Sequence, residues 1–327
     1  MKAVIYSEYG GPDSLRMAEV PKPEPQANEV LIRVHATSIN DWDYGLLQPD
    51  LFNRLMSGLN KPKIQIIGSD IAGTIESVGN GVTKFQPGDE VYGDLSGRWG
   101  GFAEYVCAAE NKLALKPASM TFAEAASIPQ AAMLAVQGLI DKGNLRQGQK
   151  LLINGAGGGV GTFGIQIARS MGVTDITVVD KAEKLDLLRS LGATQCIDYT
   201  KEDFTRNGQA YDLILDAKTN RPISHYLRAL KPGGIYATVG GDLSRLLKIL
   251  LSMPWVNMTS KRKVTIVALK TNKDLAYINK LYTEGHLKAV IDEHHYNLED
   301  VPEAMRYFGE ANHKGKVVIS VLGNFKR

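Results

Sequence analysis

Cysteine is scarce: the 327 residues hold two, Cys107 and Cys196, far apart. They form no disulfide framework, and a four-thiolate zinc lobe is impossible. A reducing compartment is the simplest setting, so a cytoplasmic location is expected. An excess of either charge is also missing. Lys and Arg number 38 against 35 Asp and Glu, a net charge of +3, which is too small to call for nucleic acid as a partner. Long apolar runs are absent. The most apolar helical stretch, Leu243 to Met253, carries Arg245 and Lys248 and is too short to span a bilayer. No membrane partner is expected. The start, Met1-Lys2-Ala3-Val4-Ile5, reads as a strand with no signal-peptide pattern. Internal repeats and low-complexity tracts are absent. The length exceeds that of most single domains, so two are expected.

What is present centres on Lys150-Leu151-Leu152-Ile153-Asn154-Gly155-Ala156-Gly157-Gly158-Gly159-Val160-Gly161. The apolar run reads as a buried parallel strand and the glycines as a tight turn. Val160, Ile165, Ile167 and Ala168 suit a helix packed on that strand. Glycine lets backbone approach a bulky anion, and a helix N-terminus offers unpaired N–H groups and a positive dipole end. Gly155, Gly158, Gly159, Val160 and Gly161 are therefore candidates for seating a dinucleotide diphosphate. The spacing is G-x-x-G-x-x-G, not G-x-G-x-x-G, and a merely flexible glycine loop is the alternative. Context favours the diphosphate site. Ile176-Thr177-Val178-Val179 ends in Asp180, about 20 residues on, where a ribose-binding acid belongs. The helical stretch 182–191 and strand-like runs at 212–216 and 234–240 follow. Strands alternating with helices predict an α/β, doubly wound parallel sheet.

The region before residue 121 differs. Alternating runs at 30–36, 71–78, 90–93 and 102–106 are separated by Gly79-Asn80-Gly81, Pro87-Gly88-Asp89 and Gly100-Gly101. Short strands and turns of this kind predict a β-barrel. Thr121-Phe122-Ala123-Glu124 is a capping-box pattern, and a helix over 131–140 leads into the nucleotide unit. Near the end come a strand at 264–269, a helix over 272–284, a helix around 301–308 and a β-prone run at 316–321. That last run must pair somewhere, most simply with the N-terminal β unit. The expected domains are 1–125 with 264–327, discontinuous, and 126–263 for the dinucleotide.

Ile66-Ile67-Gly68-Ser69-Asp70-Ile71-Ala72-Gly73-Thr74-Ile75-Glu76-Ser77-Val78-Gly79 and the following 82–91 stretch with Pro87-Gly88-Asp89-Glu90-Val91 resemble the medium-chain dehydrogenase/reductase superfamily. Gly240-Gly241 and Gly315-Lys316-Val317-Val318 fit as well. Within it the chain resembles the zinc-independent quinone oxidoreductases and enoyl reductases. That resemblance implies a GroES-like β-barrel catalytic domain, a Rossmann domain and an active cleft between them. Zinc-dependent relatives place a Cys and a His-Glu pair where this chain has Asn40 and Ser69-Asp70, so no metal is expected. The resemblance implies catalytic roles for Asn40, Asp43 and Tyr44. Asn40 would donate to the substrate carbonyl or the carboxamide, while Asp43 and Tyr44 line the pocket; an Asx turn capped by its own side chains is the other reading. Leu134 stands where relatives carry a threonine; Gln137 matches.

For the cofactor, Asp180 suits the 2′-hydroxyl of NAD(H). Lys181 follows it, and Lys184 and Tyr199 match residues that hold the adenosine phosphate in NADPH-using relatives. NADP(H) is favoured and NAD(H) remains open. Gly240 and Lys316 are further cofactor contacts implied by the family. The expected function is hydride transfer to quinones or α,β-unsaturated carbonyls, small-molecule substrates, by a homodimer. An alcohol dehydrogenase and a catalytically silent NADPH-binding structural or RNA-binding protein are the alternatives. Leu243, Leu246, Leu247, Leu250, Leu251, Pro254 and Trp255 recur at near-helical spacing, as core, dimer face or pocket wall. Ser260-Lys261-Arg262-Lys263 reads as solvated surface.

Overall fold

The change of pattern along the sequence separates mainly antiparallel β structure from a six-stranded parallel sheet. The computed structural model describes residues 1–50, 54–55, 58–241 and 243–322; the last residues of the expected 264–327 segment, 323–327, lie outside the described residues. By contact the chain divides into Met1–Gln130, Thr271–Asn279 and Ala289–Arg327 in one unit, and Ala131–Lys270 with Lys280–Lys288 in the other.

In the first unit β1 (Lys2–Ile5) pairs antiparallel with β2 (Arg16–Glu19). The long strand β3 (Glu29–Ser38) leads into the short helix α1 (Asp41–Leu46). Then come β4 (Asp70–Val78), β5 (Glu90–Asp94), β6 (Tyr105–Ala109) and β7 (Ala114–Leu115). β3 pairs antiparallel with both β4 and β6. Val30, Ile32 and Val34 of β3 meet Ile71 and Ile75 of β4 in one buried cluster, as a period of two requires. Register shifts between Leu31 and Ile32 and between Val34 and Ala36 bend the strand, as bulges do. Helix α2 (Phe122–Ser127) starts at the expected capping box. Thr121 Oγ1 accepts from the Glu124 N–H at 3.2 Å, and Glu124 Oε2 accepts from the Thr121 N–H at 2.8 Å.

Helix α3 (Pro129–Val136) and a π turn over Gln137–Lys142 precede the second sheet. That sheet is built in chain order from β8 (Lys150–Asn154), α4 (Gly159–Ser170), β9 (Asp175–Asp180), α5 (Ala182–Ser190), β10 (Gln195–Asp198), β11 (Tyr211–Asp216), α6 (Ile223–Arg228), β12 (Leu230–Thr238), α7 (Leu243–Thr259) and β13 (Lys263–Ile266). All its pairings are parallel, in the order β10-β9-β8-β11-β12-β13. Counted from β8 this is the doubly wound order, whose direction reverses between β8 and β11, and ligands bind beyond the strand C-termini at that point.

Beyond the second sheet the chain runs through α8 (Leu275–Thr283), β14 (Tyr296–Asn297), α9 (Val301–Gly309) and β15 (Val318–Ser320). β15 pairs antiparallel with β3. The observed units depart from the expected ranges in three places, the first being residues 126–130, which fall in the β unit. β13 was placed with the β domain, but it pairs with β12 in the parallel sheet. Residues 280–288 also join the second unit. There Gln166 clamps Lys288: its Nε2 donates to the Lys288 carbonyl at 3.0 Å, and its Oε1 accepts from the Lys288 N–H at 2.8 Å. Among the described residues no helix is long and apolar enough to cross a membrane.

The tightest packing in the second unit is between α4 and the turn before it. A Cβ on Gly161 would lie 2.3 Å from Ala156 Cα and 2.3 Å from its carbonyl oxygen, so backbone must move to admit a methyl. Gly161→Ala is expected to lower stability by about 1–3 kcal/mol, read from urea unfolding. A Cβ on Gly240 meets nothing within 4 Å, so Gly240→Ala is expected to stay within about 0.5 kcal/mol of the parent.

Candidate active site

At the end of β8, Gly155 turns the chain with φ +75, a region that favours glycine. The N–H groups of Gly155 and Ala156 donate to the Val179 carbonyl at 3.0 and 3.2 Å. The Gly157 N–H donates to Asp180 Oδ2 at 2.7 Å, and the Lys181 N–H to Asp180 Oδ1 at 2.9 Å. Asp180 is buried, so each carboxylate oxygen already holds backbone. Gly158 caps α4, and Thr162, whose N–H reaches the Gly158 carbonyl at 3.0 Å, is the first donor of the helical ladder. The N–H groups of Gly159, Val160 and Gly161 precede it and have no helical partner by geometry. A Cβ on Gly158 would meet protein only at 4.0 Å. The space before the helix end is open, as a diphosphate needs.

Cations border this turn. Lys184 is buried, with Nζ 4.0 Å from Asp180 Oδ1. Burial pushes its pKa down, opposed by Asp180 and reinforced by the charges of Lys218 and Lys181. Lys184 is thus a buried ammonium beside a carboxylate. Tyr199 is 43 % exposed, and its N–H donates to the Asp180 carbonyl at 3.3 Å. Lys218, not singled out in the sequence, lays its stem where a Gly155 Cβ would stand, at 2.6 Å. Its place just past the C-terminus of β11, beside the switch point, was the signal available. Gly240 follows β12 and faces open space.

Lys316 belongs to the first unit. It is buried there, because the segment ahead of β15 returns to that unit. Its Nζ donates to the Ile39 carbonyl at 3.0 Å and to Asn40 Oδ1, and lies 3.6 Å from Asp70 Oδ2. Around it the ends of β3, α1, β4 and β5 assemble a buried polar cluster. Asn40 Nδ2 donates to Ser69 Oγ at 3.0 Å and to Asp70 Oδ2 at 2.9 Å. Asp43 Oδ2 accepts from Ser69 Oγ and from the Asn40 N–H, both at 3.0 Å. The Gln130 N–H reaches Asp70 Oδ1 at 3.2 Å, and Asp94 Oδ1 accepts from the Ser96 N–H at 2.8 Å. The structure thus brings Asn40 and Asp43 together with Ser69, Asp70, Asp94 and Lys316. It leaves Tyr44 at the margin, half-buried, its ring 6.0 Å from that of Phe308.

This geometry changes the reading of the implied catalytic residues. Both amide protons of Asn40 are engaged by Ser69 and Asp70, and its oxygen by Lys316. Asp43 is fully buried and closes the N-terminal turn of α1. The capped-turn reading and the site reading describe the same contacts. Gln137 likewise exchanges two 2.9 Å hydrogen bonds with the backbone of Lys270, which occupies its amide.

Three carboxyls and one ammonium cannot all be charged at low cost in a dry interior. Burial raises Asp43 from 3.8 to about 7, against the hydrogen bonds from Ser69 and Asn40 and the attraction of Lys316. Burial also raises Asp70 and Asp94 and lowers Lys316, while the Asp70–Lys316 attraction opposes both of its shifts. The three positions that carry zinc ligands in metal-dependent relatives are adjacent here, but the donors are an amide, a hydroxyl and one carboxylate. A lysine ammonium stands among them. Zinc wants thiolate, imidazole or carboxylate donors converging in a tetrahedron, and this set fits it poorly.

The raised carboxyl sets a pH dependence. Between 3.8 and about 7 the folded chain keeps the Asp43 proton and the unfolded chain releases it. The group's contribution to stability is therefore complete below that window and lost as pH rises through it, by at most about 1.4 kcal/mol per pH unit. Asp43→Asn, whose amide oxygen can accept the same two hydrogen bonds, is expected to flatten the decline in thermal midpoint between pH 5 and pH 8. An unchanged pH profile would show that Asp43 ionises normally.

Two family models match parts of the chain. Residues 26–118 match the alcohol dehydrogenase GroES-like domain, and residues 191–319 match the zinc-binding dehydrogenase family. Quinone-oxidoreductase QR1, chloroplastic, of Triphysaria versicolor is 31% identical over 98% of this chain and 98% of its own length. The NADPH-dependent alkenal/one oxidoreductase, chloroplastic, of Arabidopsis thaliana is 31% identical over 98% of this chain and 79% of its own. The solved quinone oxidoreductase of Coxiella burnetii superposes with a TM-score of 0.88 at 28% identity, covering 98% of this chain and 99% of that one. A GroES-like β unit, a doubly wound parallel sheet and relatives matched over nearly their whole length converge: the chain belongs to the medium-chain dehydrogenase/reductase superfamily, in its quinone-oxidoreductase-like branch.

Proposed function

We propose that the chain is a zinc-independent, NAD(P)H-dependent reductase of quinones or α,β-unsaturated carbonyls, with NADPH as the preferred donor. The observation that carries the proposal is the glycine turn at the switch point of the parallel sheet. It presents a helix N-terminus to open space and is ringed by Lys181, Lys184, Lys218 and Tyr199. In this reading the Gly159–Gly161 N–H groups hold the diphosphate. Lys181, Lys184 and Tyr199 take the 2′-phosphate. Asp180 would repel that phosphate if its charge were bare. Its oxygens are turned towards the Gly157 and Lys181 N–H groups, and the Lys184 ammonium 4.0 Å from Oδ1 offsets its charge. The Arabidopsis relative's name, which specifies NADPH, supports the same choice.

The bound cofactor supplies a hydride from C4 of its nicotinamide. Two electrons and one hydrogen pass to an electron-poor carbon or quinone, and one proton completes the reduction. Negative charge builds on the acceptor oxygen and needs a donor. Among the three implied catalytic residues, only the Tyr44 side chain lies outside the engaged cluster, so the donor role is assigned to its hydroxyl. Asn40 is a positioning residue: it holds Lys316, Ser69 and Asp70 in register. The donor set around Lys316 supports chemistry without zinc, and a conjugated acceptor suits such a site better than a simple alcohol does.

Purified protein is expected to oxidise NADPH in the presence of an ortho-quinone or a reactive enal with a chelator present, and to contain far less than one zinc per chain by elemental analysis. Inactivity across such acceptors with NADPH bound, or activity that chelation abolishes, contradicts the proposal. Lys181→Ala with Tyr199→Ala is expected to raise KM for NADPH about ten-fold, since a contact to a charged group contributes roughly 1.5 kcal/mol. KM for NADH should move less than about two-fold by the same reasoning. Equal shifts would place the pair away from the 2′-phosphate.

A further inference from the structure

We infer that α7 is a docking surface for an anionic lipid bilayer, lying flat in the membrane interface. None of the glycine-turn residues lies on this helix, and docking there does not depend on the proposed activity. One side of α7 packs on its own unit. Ile249 is buried, and Met253 and Val256 lie against the cluster that holds Leu152, Tyr236 and Val264. The opposite side is apolar too. Leu243, Leu247, Leu251 and Met258 follow one another down one face, with Leu250 and Trp255 beside them. Leu251, Met258 and Trp255 are 81, 73 and 67 % exposed, and Leu247 and Leu250 are each 50 % exposed. A single exposed leucine needs no explanation, but a helix apolar on both faces is one that something covers.

Charge selects the occupant. From Leu243 to Lys270 the sequence has no Asp or Glu, and it has Arg245, Lys248, Lys261, Arg262, Lys263 and Lys270. Lys248, Lys261 and Lys263 are exposed. Cations therefore stand near both ends of the apolar face. A second copy seated by two-fold symmetry would bring this same surface against itself. Parallel or antiparallel, it would bring the cations flanking one helix towards those flanking the other. An anionic headgroup layer over acyl chains complements both features. Leucine and methionine enter the apolar boundary, Trp255 sits at its edge, and the lysines reach the phosphates. The helix has 17 residues, short of the roughly 20 needed to span a bilayer, so it lies in the interface plane. Docking from one side needs no membrane-spanning segment, and none is found among the described residues.

The test is co-sedimentation of the full chain with large vesicles of phosphatidylcholine, with and without about 30% phosphatidylglycerol. Binding to the anionic vesicles is expected to exceed binding to the neutral ones by about ten-fold or more, and to fall in about 0.5 M salt. Leu251→Glu with Met258→Glu should abolish it. Lys261→Glu with Lys263→Glu should weaken it by about five-fold per residue or more. Both pairs are exposed, and an unchanged thermal midpoint confirms that each variant folds; if the leucine–methionine pair melts early, the lysine pair decides. Equal pelleting with neutral and anionic vesicles, or binding that neither pair alters, overturns the inference. So does light scattering that shows a dimer which the α7 variants dissolve, since a second copy would then be the cover.

Discussion

The close approach of α4 to the turn that precedes it is the constraint on which the second unit rests. Gly161 lets the first turn of the helix press against Ala156, and Gly155 lets the strand end fold back under Val179. Asp180 then fastens the far side through the Gly157 N–H. The result is a helix N-terminus whose unpaired donors face open space at the sheet's switch point. A diphosphate gains both from those donors and from the helix dipole. The acid at the end of β9 therefore shapes the loop as well as its charge field, and the Lys184 ammonium stands beside it.

The first unit depends on a different balance. Lys316 is buried with Asn40, Asp43, Ser69, Asp70 and Asp94, and every member but the outer oxygens of Asp43 and Asp94 has a partner. Removing one member of such a network leaves the others desolvated, which costs more than the lost contact. The network ties the ends of β3, β4 and β5 to the segment before β15. It thereby joins residues nearly 280 positions apart, as the Lys316–Ile39 contact shows. A cation supplied by the chain stands among these carboxyls, and burial, opposed by the attraction between the opposite charges, sets the local acid chemistry.

Much of this was legible in the sequence. The strand–glycine–helix stretch, the acid ending β9 and the capping box at Thr121 each depend on neighbours within a few residues, so local pattern reveals them. The family resemblance supplied Lys184 and Tyr199. Other features depend on distant pairing. Lys316 reads as a cofactor contact from its motif, and only the pairing of β15 with β3 shows it beside Asn40. Lys218 lies in an unremarkable stretch and gains meaning from the neighbouring glycine turn. β13 looked like part of the β unit until its parallel partner was known. The α7 stretch was correctly seen as apolar at helical spacing, but spacing cannot tell a covered face from an exposed one.

Hydrogen–deuterium exchange with and without NADPH tests the central claim most directly, because it reports on the backbone donors assigned to the diphosphate. Binding at the glycine turn predicts slowed exchange over residues 155–161, with smaller protection around 180–184 and at 199, and little change along α7. Saturating NADPH that leaves 155–161 unprotected, or that protects only residues elsewhere, would contradict the account.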